Sequence, residues 1–225
     1  MTMKLELFIL ALEKEVAAYR TPIVDLIAVQ TRNPFKILVS TILSARTRDE
    51  VTSMASRRLF NETPDIHALA GLSKEKIREL IKPVGFFNNK ADYLYRLPES
   101  LKPYGYKVPD ELEELLKLPG VGRKTANLVL TAAFDKPAIC VDTHVHRIMN
   151  IWGFVKTKNP ESTEKALQKT LPIKYWKKIN SILVAFGQER CKPVGPQCDC
   201  CVFEQDCPKN GVTSRRIRRA SAVTP

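Results

Sequence analysis

Two side chains in residues 118–142, LPGVGRKTANLVLTAAFDKPAICVD, are suited to covalent chemistry. Lys124 falls in the first turn of a helix predicted over 123–134. There the positive end of the helix dipole disfavours an ammonium and favours the nucleophilic free amine. The alternative is an exposed lysine that contacts a phosphate, and residue type alone favours that alternative. Asp142 precedes another predicted helix, where its carboxylate is expected to cap backbone N–H groups and stay ionised.

The turn before this lysine, LPGVG at 118–122, contains two glycines at alternate positions. Glycine permits positive φ angles, so such a turn can point successive backbone N–H groups outward beside a helix N-terminus. That arrangement binds anions without sequence preference. The leucine and valine of the turn are expected to pack inward. A plain helix–helix turn is the alternative, but the two basic residues that follow favour a DNA contact.

The chain of 225 residues carries a formal net charge of +12 and is 44% hydrophobic, enough for a sizeable core. A positive excess of this size indicates a polyanionic partner, with nucleic acid as the first candidate. The alternative is a basic enzyme with an adhesive tail. Residues 211–225 form an Arg-rich segment, which we expect to be a flexible tail that becomes ordered only on DNA.

No run of about 18 apolar residues is present, so no membrane span is expected. Near the N-terminus, apolar residues at helical spacing alternate with glutamates, which predicts an amphipathic helix rather than a signal peptide. These apolar residues are Leu5, Phe8, Ile9, Leu12 and Val16. An intracellular location is expected, cytoplasmic if the source is prokaryotic. In that reducing environment cysteines bind metals more often than they form disulfides.

Helix signals dominate, and no sustained strand-like alternation occurs, so the predicted fold is all-α. A capping box is predicted at Asp110 and Glu113, and a helix over 175–186 is expected to end at Gly187. Single N-cap side chains are predicted at Asn33, Asp49, Ser73 and Asn159.

Four cysteines follow the spacing C-x6-C-x2-C-x5-C within a loop rich in proline and glycine. Because this loop has few apolar side chains to fold around, the cysteines are expected to organise it around a metal. Zinc and a [4Fe–4S] cluster both accept four thiolates, and the spacing leaves the choice open. Cys200 is expected not to be a ligand, and Cys140 to be a small core residue. The four predicted ligands are Cys191, Cys198, Cys201 and Cys207.

The segments LPGVGRKTAN and VDTHVHR together with the cysteine spacing resemble the helix-hairpin-helix DNA glycosylases, and most closely endonuclease III. The similarity runs from about Phe35 to Cys207. It implies a two-domain helical fold with an iron–sulfur cluster loop, divided into 27–136 and 1–26 with 137–210. It also implies a [4Fe–4S] cluster on the four cysteines, and a pocket between the domains that Lys124 and Asp142 face.

The implied activity is that of a bifunctional DNA glycosylase and AP lyase that removes oxidised pyrimidines from double-stranded DNA. The damaged base is flipped into the pocket, Lys124 attacks the sugar C1′, and the resulting Schiff base permits β-elimination of the 3′ phosphate. Asp142 would stabilise positive charge on the sugar. A monomer is expected. The alternatives are a monofunctional mismatch glycosylase and a noncatalytic DNA-binding or redox-sensing iron–sulfur protein.

Two positions bear on how DNA is distorted. Arg46 stands where the family often has a glutamine that fills the gap left by the flipped base, and its planar fork is predicted to take that role. Phe86 resembles the family's intercalating wedge, with a buried aromatic at a turn as the alternative. The full set of predicted DNA-contacting residues is Arg46, Phe86, Leu118, Gly120, Val121, Gly122, Arg123 and His144.

Overall fold

The computed structural model describes residues 4–19, 27 and 31–212, and no β-strand occurs among them. The all-α prediction is therefore confirmed. None of the described helices is long and apolar enough to cross a membrane. The predicted tail lies outside the described residues from position 213 onward. The described helices are α1 Leu5–Val16, α2 Pro34–Ser44, α3 Asp49–Glu62, α4 Ile66–Ala70, α5 Lys74–Ile81, α6 Phe87–Leu101, α7 Leu112–Leu115, α8 Arg123–Phe134, α9 Thr143–Ile151, α10 Pro160–Thr170 and α11 Ile179–Glu189.

The chain forms two compact units. One is Thr21–Cys140, and the other combines Met1–Arg20 with Val141–Pro225, as far as these residues are described. The domain limits implied by the resemblance, 27–136 and 1–26 with 137–210, stay a prediction.

Helix α2 is the centre of the Thr21–Cys140 unit. All of its residues from Ile37 to Leu43 are buried, because the helix packs against both α3 and α8. Helix α8 contributes Ala126, Val129 and Leu130 to the same core. The helix that carries Lys124 is thus fixed against the most buried element of its unit.

The second unit has an aromatic core that extends into the cysteine-rich loop. Phe8 of α1 lies 4.1 Å from the Trp152 ring, measured between centroids, and Phe203 lies 5.4 Å from the same tryptophan. Phe203 is buried and stands between two of the predicted cysteine ligands in the sequence. The loop is therefore attached to this unit through an apolar side chain of its own.

Three predicted N-caps are confirmed. Asn33 Oδ1 accepts hydrogen bonds from the N–H groups of Phe35 and Lys36 at 3.0 and 3.3 Å. Ser73 Oγ caps α5 at 3.2 Å, and Asn159 Oδ1 caps α10 at 2.9 Å. In each case a short polar side chain satisfies a first-turn N–H group of the helix it precedes.

Two cap predictions are wrong because the side chains have other positions. Asp49 is the first residue of α3 rather than its cap, and it places a carboxylate at the positive end of the helix. Asp110 forms no capping box, since α7 begins at Leu112 with Glu111 as N-cap. Asp110 instead pairs with Lys136 at 2.9 Å, and this hydrogen bond lowers the pKa of its carboxyl.

The predicted helix end at Gly187 is also wrong, because α11 continues through it to Glu189. A Cβ at Gly187 would overlap the His144 ring of α9. The glycine thus permits two helices to approach closely instead of ending one of them. The predicted start at Tyr175 is wrong as well: that residue ends a 3-10 turn, and α11 begins at Ile179.

The turn between α7 and α8 depends on Gly120, whose φ is 77°. A Cβ at this position would lie 2.5 Å from Cδ2 of the Tyr93 ring. Gly122, in contrast, has a φ of −96°, and no atom lies within 4 Å of the position of an added Cβ. The expectation that both glycines serve to permit positive φ is therefore wrong for Gly122.

We predict that Gly120→Ala lowers the free energy of unfolding by about 2–4 kcal/mol, through left-handed backbone strain and overlap with Tyr93. Gly122→Ala is the matched control and should change it by less than about 1 kcal/mol. Urea unfolding followed by circular dichroism measures both. Equal losses for the two variants would contradict this account of the turn.

Candidate nucleic-acid interface, catalytic residues and cysteine centre

The hairpin at 118–122 presents backbone rather than side chains to solvent. Leu118 and Val121 are buried in the core, as expected, while Gly120 and Gly122 are exposed. The N–H of Val121 donates to the Leu118 carbonyl at 3.2 Å, which closes the turn. Any ligand that this turn binds from solvent must therefore be held mainly by its main chain.

Helix α8 begins directly after this turn with Gly122 as its N-cap. A glycine has no side chain to accept hydrogen bonds from the first-turn N–H groups, and the space beside its Cα is open. The positive end of the helix is therefore accessible to an anion such as a phosphate.

Lys124 is exposed in the first turn of α8. The Lys124 backbone is held by its carbonyl, which accepts a hydrogen bond from Cys140 Sγ at 3.5 Å. One turn later, buried Asn127 donates from Nδ2 to the Ile139 carbonyl at 3.1 Å. Cys140 is buried, which confirms its predicted place in the core. Lys124 thus stands on a backbone that hydrogen bonds hold at two points.

Asp142 is the N-cap of α9, as predicted. Its Oδ1 accepts hydrogen bonds from the N–H groups of His144 and Val145 at 2.8 and 2.9 Å, and the residue is 8% exposed. Both of these bonds hold the carboxylate oxygen against the first turn of α9. The cap therefore provides a fixed negative charge at the start of α9.

The remaining polar residues of α9 have structural contacts. The His144 ring packs against the backbone at Gly187. His146 Nδ1 lies 2.7 Å from Thr163 Oγ1 of α10. Arg147 donates to the backbone carbonyl of Cys191. The DNA contact predicted for His144 stays a prediction.

Arg46 and Phe86 lie side by side on two loops of the Thr21–Cys140 unit. The Arg46 guanidinium carbon is 5.5 Å from the centre of the Phe86 ring. Phe86 is 60% exposed, so the alternative of a buried aromatic at a turn is wrong. Both residues have positive φ angles, 52° and 56°. An exposed planar cation and an exposed aromatic ring therefore form one surface feature.

The four predicted cysteine ligands line one cavity, together with the apolar side chains of Ile151 and Phe186. Burial raises the pKa of the Cys201 thiol to about 11, and it also raises the pKa values of the Cys191 and Cys207 thiols. A site that disfavours thiolates in this way suits a bound cation, which would neutralise them. Cys200 does not line this cavity; it is exposed, and its Sγ contacts Arg190 at 2.8 Å.

The spacing of these thiols bears on the kind of metal. Within the described residues, no three His, Cys, Asp or Glu side chains are arranged to hold a single metal ion. A tetrahedral zinc site needs four sulfurs around one ion, whereas each cysteine of a four-iron cluster binds a different iron. The cavity offers four thiols, the number that either centre needs.

Comparison with known proteins identifies the family. Residues 39–172 match the HhH-GPD superfamily base excision DNA repair protein. Endonuclease III of Thermotoga maritima is 51% identical over 176 residues, which cover 78% of this chain and 83% of that protein. The chloroplastic Endonuclease III homolog 1 of Arabidopsis thaliana is 42% identical over 190 residues, and the chain spans 50% of that longer protein and matches over 79% of its own length.

A solved structure agrees with this assignment. The trapped Endonuclease III–DNA covalent intermediate, an estranged-adenine complex, matches with a TM-score of 0.82 and 32% sequence identity, covering 93% of this chain and 97% of that chain. The chain therefore belongs to the endonuclease III family, within the HhH-GPD superfamily of base excision DNA repair proteins.

Proposed function

We propose that this chain is a bifunctional DNA glycosylase and AP lyase that removes oxidised pyrimidines from double-stranded DNA and acts as a monomer. The observation that carries the proposal is the position of Lys124. It is exposed in the first turn of α8, directly after a turn whose backbone is open to a phosphate. A nucleophile beside a turn that binds a phosphate is positioned to react with the sugar attached to that phosphate.

The reaction begins with the damaged base out of the stack, because its sugar is inaccessible inside the duplex. The Lys124 amine attacks C1′, the glycosidic bond breaks, and the electron pair leaves with the base, which takes up a proton. Loss of the amine proton and opening of the sugar ring give a Schiff base between Nζ and C1′. A base then removes a C2′ proton, and the 3′ phosphate leaves by β-elimination.

Asp142 supports the first step electrostatically. Positive charge develops on the sugar as the glycosidic bond breaks, and a fixed carboxylate stabilises that charge more than it stabilises the neutral substrate. The two hydrogen bonds that Asp142 accepts from α9 hold the carboxylate in place.

We also propose that Cys191, Cys198, Cys201 and Cys207 hold a [4Fe–4S] cluster. The support is the cavity that they share and the chain's membership of the endonuclease III family. Such a cluster supplies structural cross-linking of the loop rather than bond-breaking chemistry. The loop also carries Lys192, a basic residue suited to the DNA backbone.

Borohydride reduction tests the nucleophile, since it converts a Schiff base into a stable covalent protein–DNA adduct. We expect wild-type protein to be trapped on abasic DNA and Lys124→Gln to give no adduct while it binds the same duplex within about threefold. Lys117→Gln is the matched control, because Lys117 lies before the same hairpin and pairs with Glu114 at 2.7 Å. It should be trapped as wild type is.

Each alternative function has its own outcome in this assay. Excision of a base by wild-type protein without any adduct indicates a monofunctional glycosylase. DNA binding by cluster-loaded protein with neither excision nor adduct indicates a noncatalytic binding protein. An adduct that persists in Lys124→Gln would assign the nucleophile to another residue.

Asp142→Asn separates capping from charge stabilisation, because asparagine keeps the side-chain oxygen that caps α9 and removes the charge. We expect the free energy of unfolding to change by less than about 1 kcal/mol and base excision to slow by about 100-fold. Single-turnover excision and urea unfolding measure the two effects. A variant that excises at the wild-type rate would show that Asp142 acts only as a helix cap.

Adjacent cysteines provide a matched test of the metal centre. Cys201→Ser should lose the broad absorbance near about 400 nm and most of the approximately four irons per chain. Cys200→Ser should keep both, since Cys200 is exposed and does not line the shared cavity. Absorbance and iron analysis of purified protein measure this. Zinc without iron in the wild-type protein would refute the cluster.

A further inference from the structure

Lys90 of α6 is a buried lysine with no place in the proposed chemistry. It is 4% exposed, and its Nζ donates hydrogen bonds to the carbonyls of Leu43 and Ala45 at 2.7 and 2.6 Å. A third bond goes to Thr47 Oγ1 at 3.0 Å. An ammonium group has three N–H donors, so each donor can be matched with one of these acceptors.

The two carbonyls belong to the C-terminal end of α2, where the last helical carbonyls lack intrahelical partners. The last turn of α2 contains no basic residue of its own. Lys90 therefore supplies from another helix the cation that the negative end of α2 favours. This contact joins α6 to the loop that follows α2.

A second link, through Gly85, joins the loop that follows α2 to the loop that precedes α6. Its N–H donates to Thr47 Oγ1 at 3.0 Å, and a Cβ on Gly85 would overlap the Arg46 carbonyl. Thr47 Oγ1 thus accepts from both Gly85 and Lys90, and it donates to the Ala45 carbonyl at 3.3 Å. One hydroxyl connects both loops and the ammonium.

The residues at the tips of these loops are Arg46 and Phe86. Each has a left-handed backbone, which side-chain-bearing residues adopt only where the surroundings enforce it. Thr47 follows Arg46 directly, and Gly85 precedes Phe86 directly. The hydrogen bonds of Lys90 and Thr47 are therefore next to both left-handed residues and restrain both.

Burial of this ammonium is costly, and it lowers the pKa of Lys90 to about 8. A methionine would fill similar space without that cost. The presence of a lysine at this buried position is therefore better explained by its three hydrogen bonds than by packing.

We propose that Lys90 is a positioning residue that, through Thr47, holds Arg46 and Phe86 as one rigid wedge for insertion into the DNA duplex. The inference rests on the proposed glycosylase function. Preorganising the two side chains avoids the entropy cost of ordering them at the moment when the base leaves the stack.

The test compares variants that differ in this hydrogen-bond junction. Thr47→Val and Lys90→Met should each slow single-turnover excision of an oxidised pyrimidine from duplex DNA by about tenfold. Cleavage at a preformed abasic site, which has no base to displace, should slow by less than about threefold. Thr47→Ser keeps the hydroxyl and should restore most of the excision rate. Lys74→Met removes a half-exposed lysine that also binds α6, at Asp92, and serves as the surface control.

A thermodynamic cycle separates positioning from general destabilisation. If Lys90 and Thr47 act through the wedge, Thr47→Val should have almost no further effect on excision in an Arg46→Ala/Phe86→Ala background. If Thr47→Val slows excision by the same factor in this background as it does in the wild-type protein, the proposal is overturned. Equal slowing of duplex excision and abasic cleavage would overturn it as well.

Insertion can also be measured without catalysis. In a Lys124→Gln background, 2-aminopurine beside an abasic-site analogue brightens when the wedge unstacks it. We expect Thr47→Val to reduce this signal at saturating protein to about the level of Phe86→Ala, and Thr47→Ser to restore it. A full signal from Thr47→Val overturns the positioning role whatever the enzyme's activity. Loss of signal together with inactive wild-type protein overturns the proposed function alone.

Discussion

Helix ends position the residues that we propose bind DNA and react with it. An α-helix leaves its first N–H groups and its last carbonyls without partners inside the helix, and each end must be satisfied from elsewhere. Asp142 satisfies the start of α9, and Lys90 satisfies the end of α2. The N-cap of α8 is Gly122, which has no capping side chain. The same physical requirement thus underlies the carboxylate at α9, the loop held at the end of α2 and the phosphate-binding site that we propose at α8.

Close backbone approach is the second constraint, and it explains why glycines occur at three positions. Gly120 lies against the Tyr93 ring, Gly85 against the Arg46 carbonyl, and Gly187 against the His144 ring. Each approach brings a functional segment against a packed helix or loop. Only Gly120 needs a positive φ; the other two are required because a Cβ would occupy the space of a neighbour.

Local signals in the sequence were sufficient where one short side chain satisfies its own helix, as with Asn33, Ser73 and Asp142. They failed where a distant partner decides. Asp110 resembles a cap but pairs with Lys136, and Gly187 resembles a helix end but accommodates a ring from another helix. Lys90 could not be recognised at all, since it is one of 36 lysines and arginines and its acceptors are more than 40 residues away in the chain. The fold class followed from periodicity, whereas the contacts that orient the site followed from tertiary packing.

The cysteine loop and the proposed catalytic carboxylate are connected within one unit. Arg147 of α9 donates to the carbonyl of Cys191, and Asp142 caps the same helix. Each of the four thiols is half-buried, and desolvation raises the pKa values of the Cys191, Cys201 and Cys207 thiols. A cluster bound by these cysteines would also fix the position of the Cys191 carbonyl. The cluster would then stabilise α9, the helix that Asp142 caps. In this way a redox-capable group would support, by its structural effect alone, a reaction that transfers no electrons.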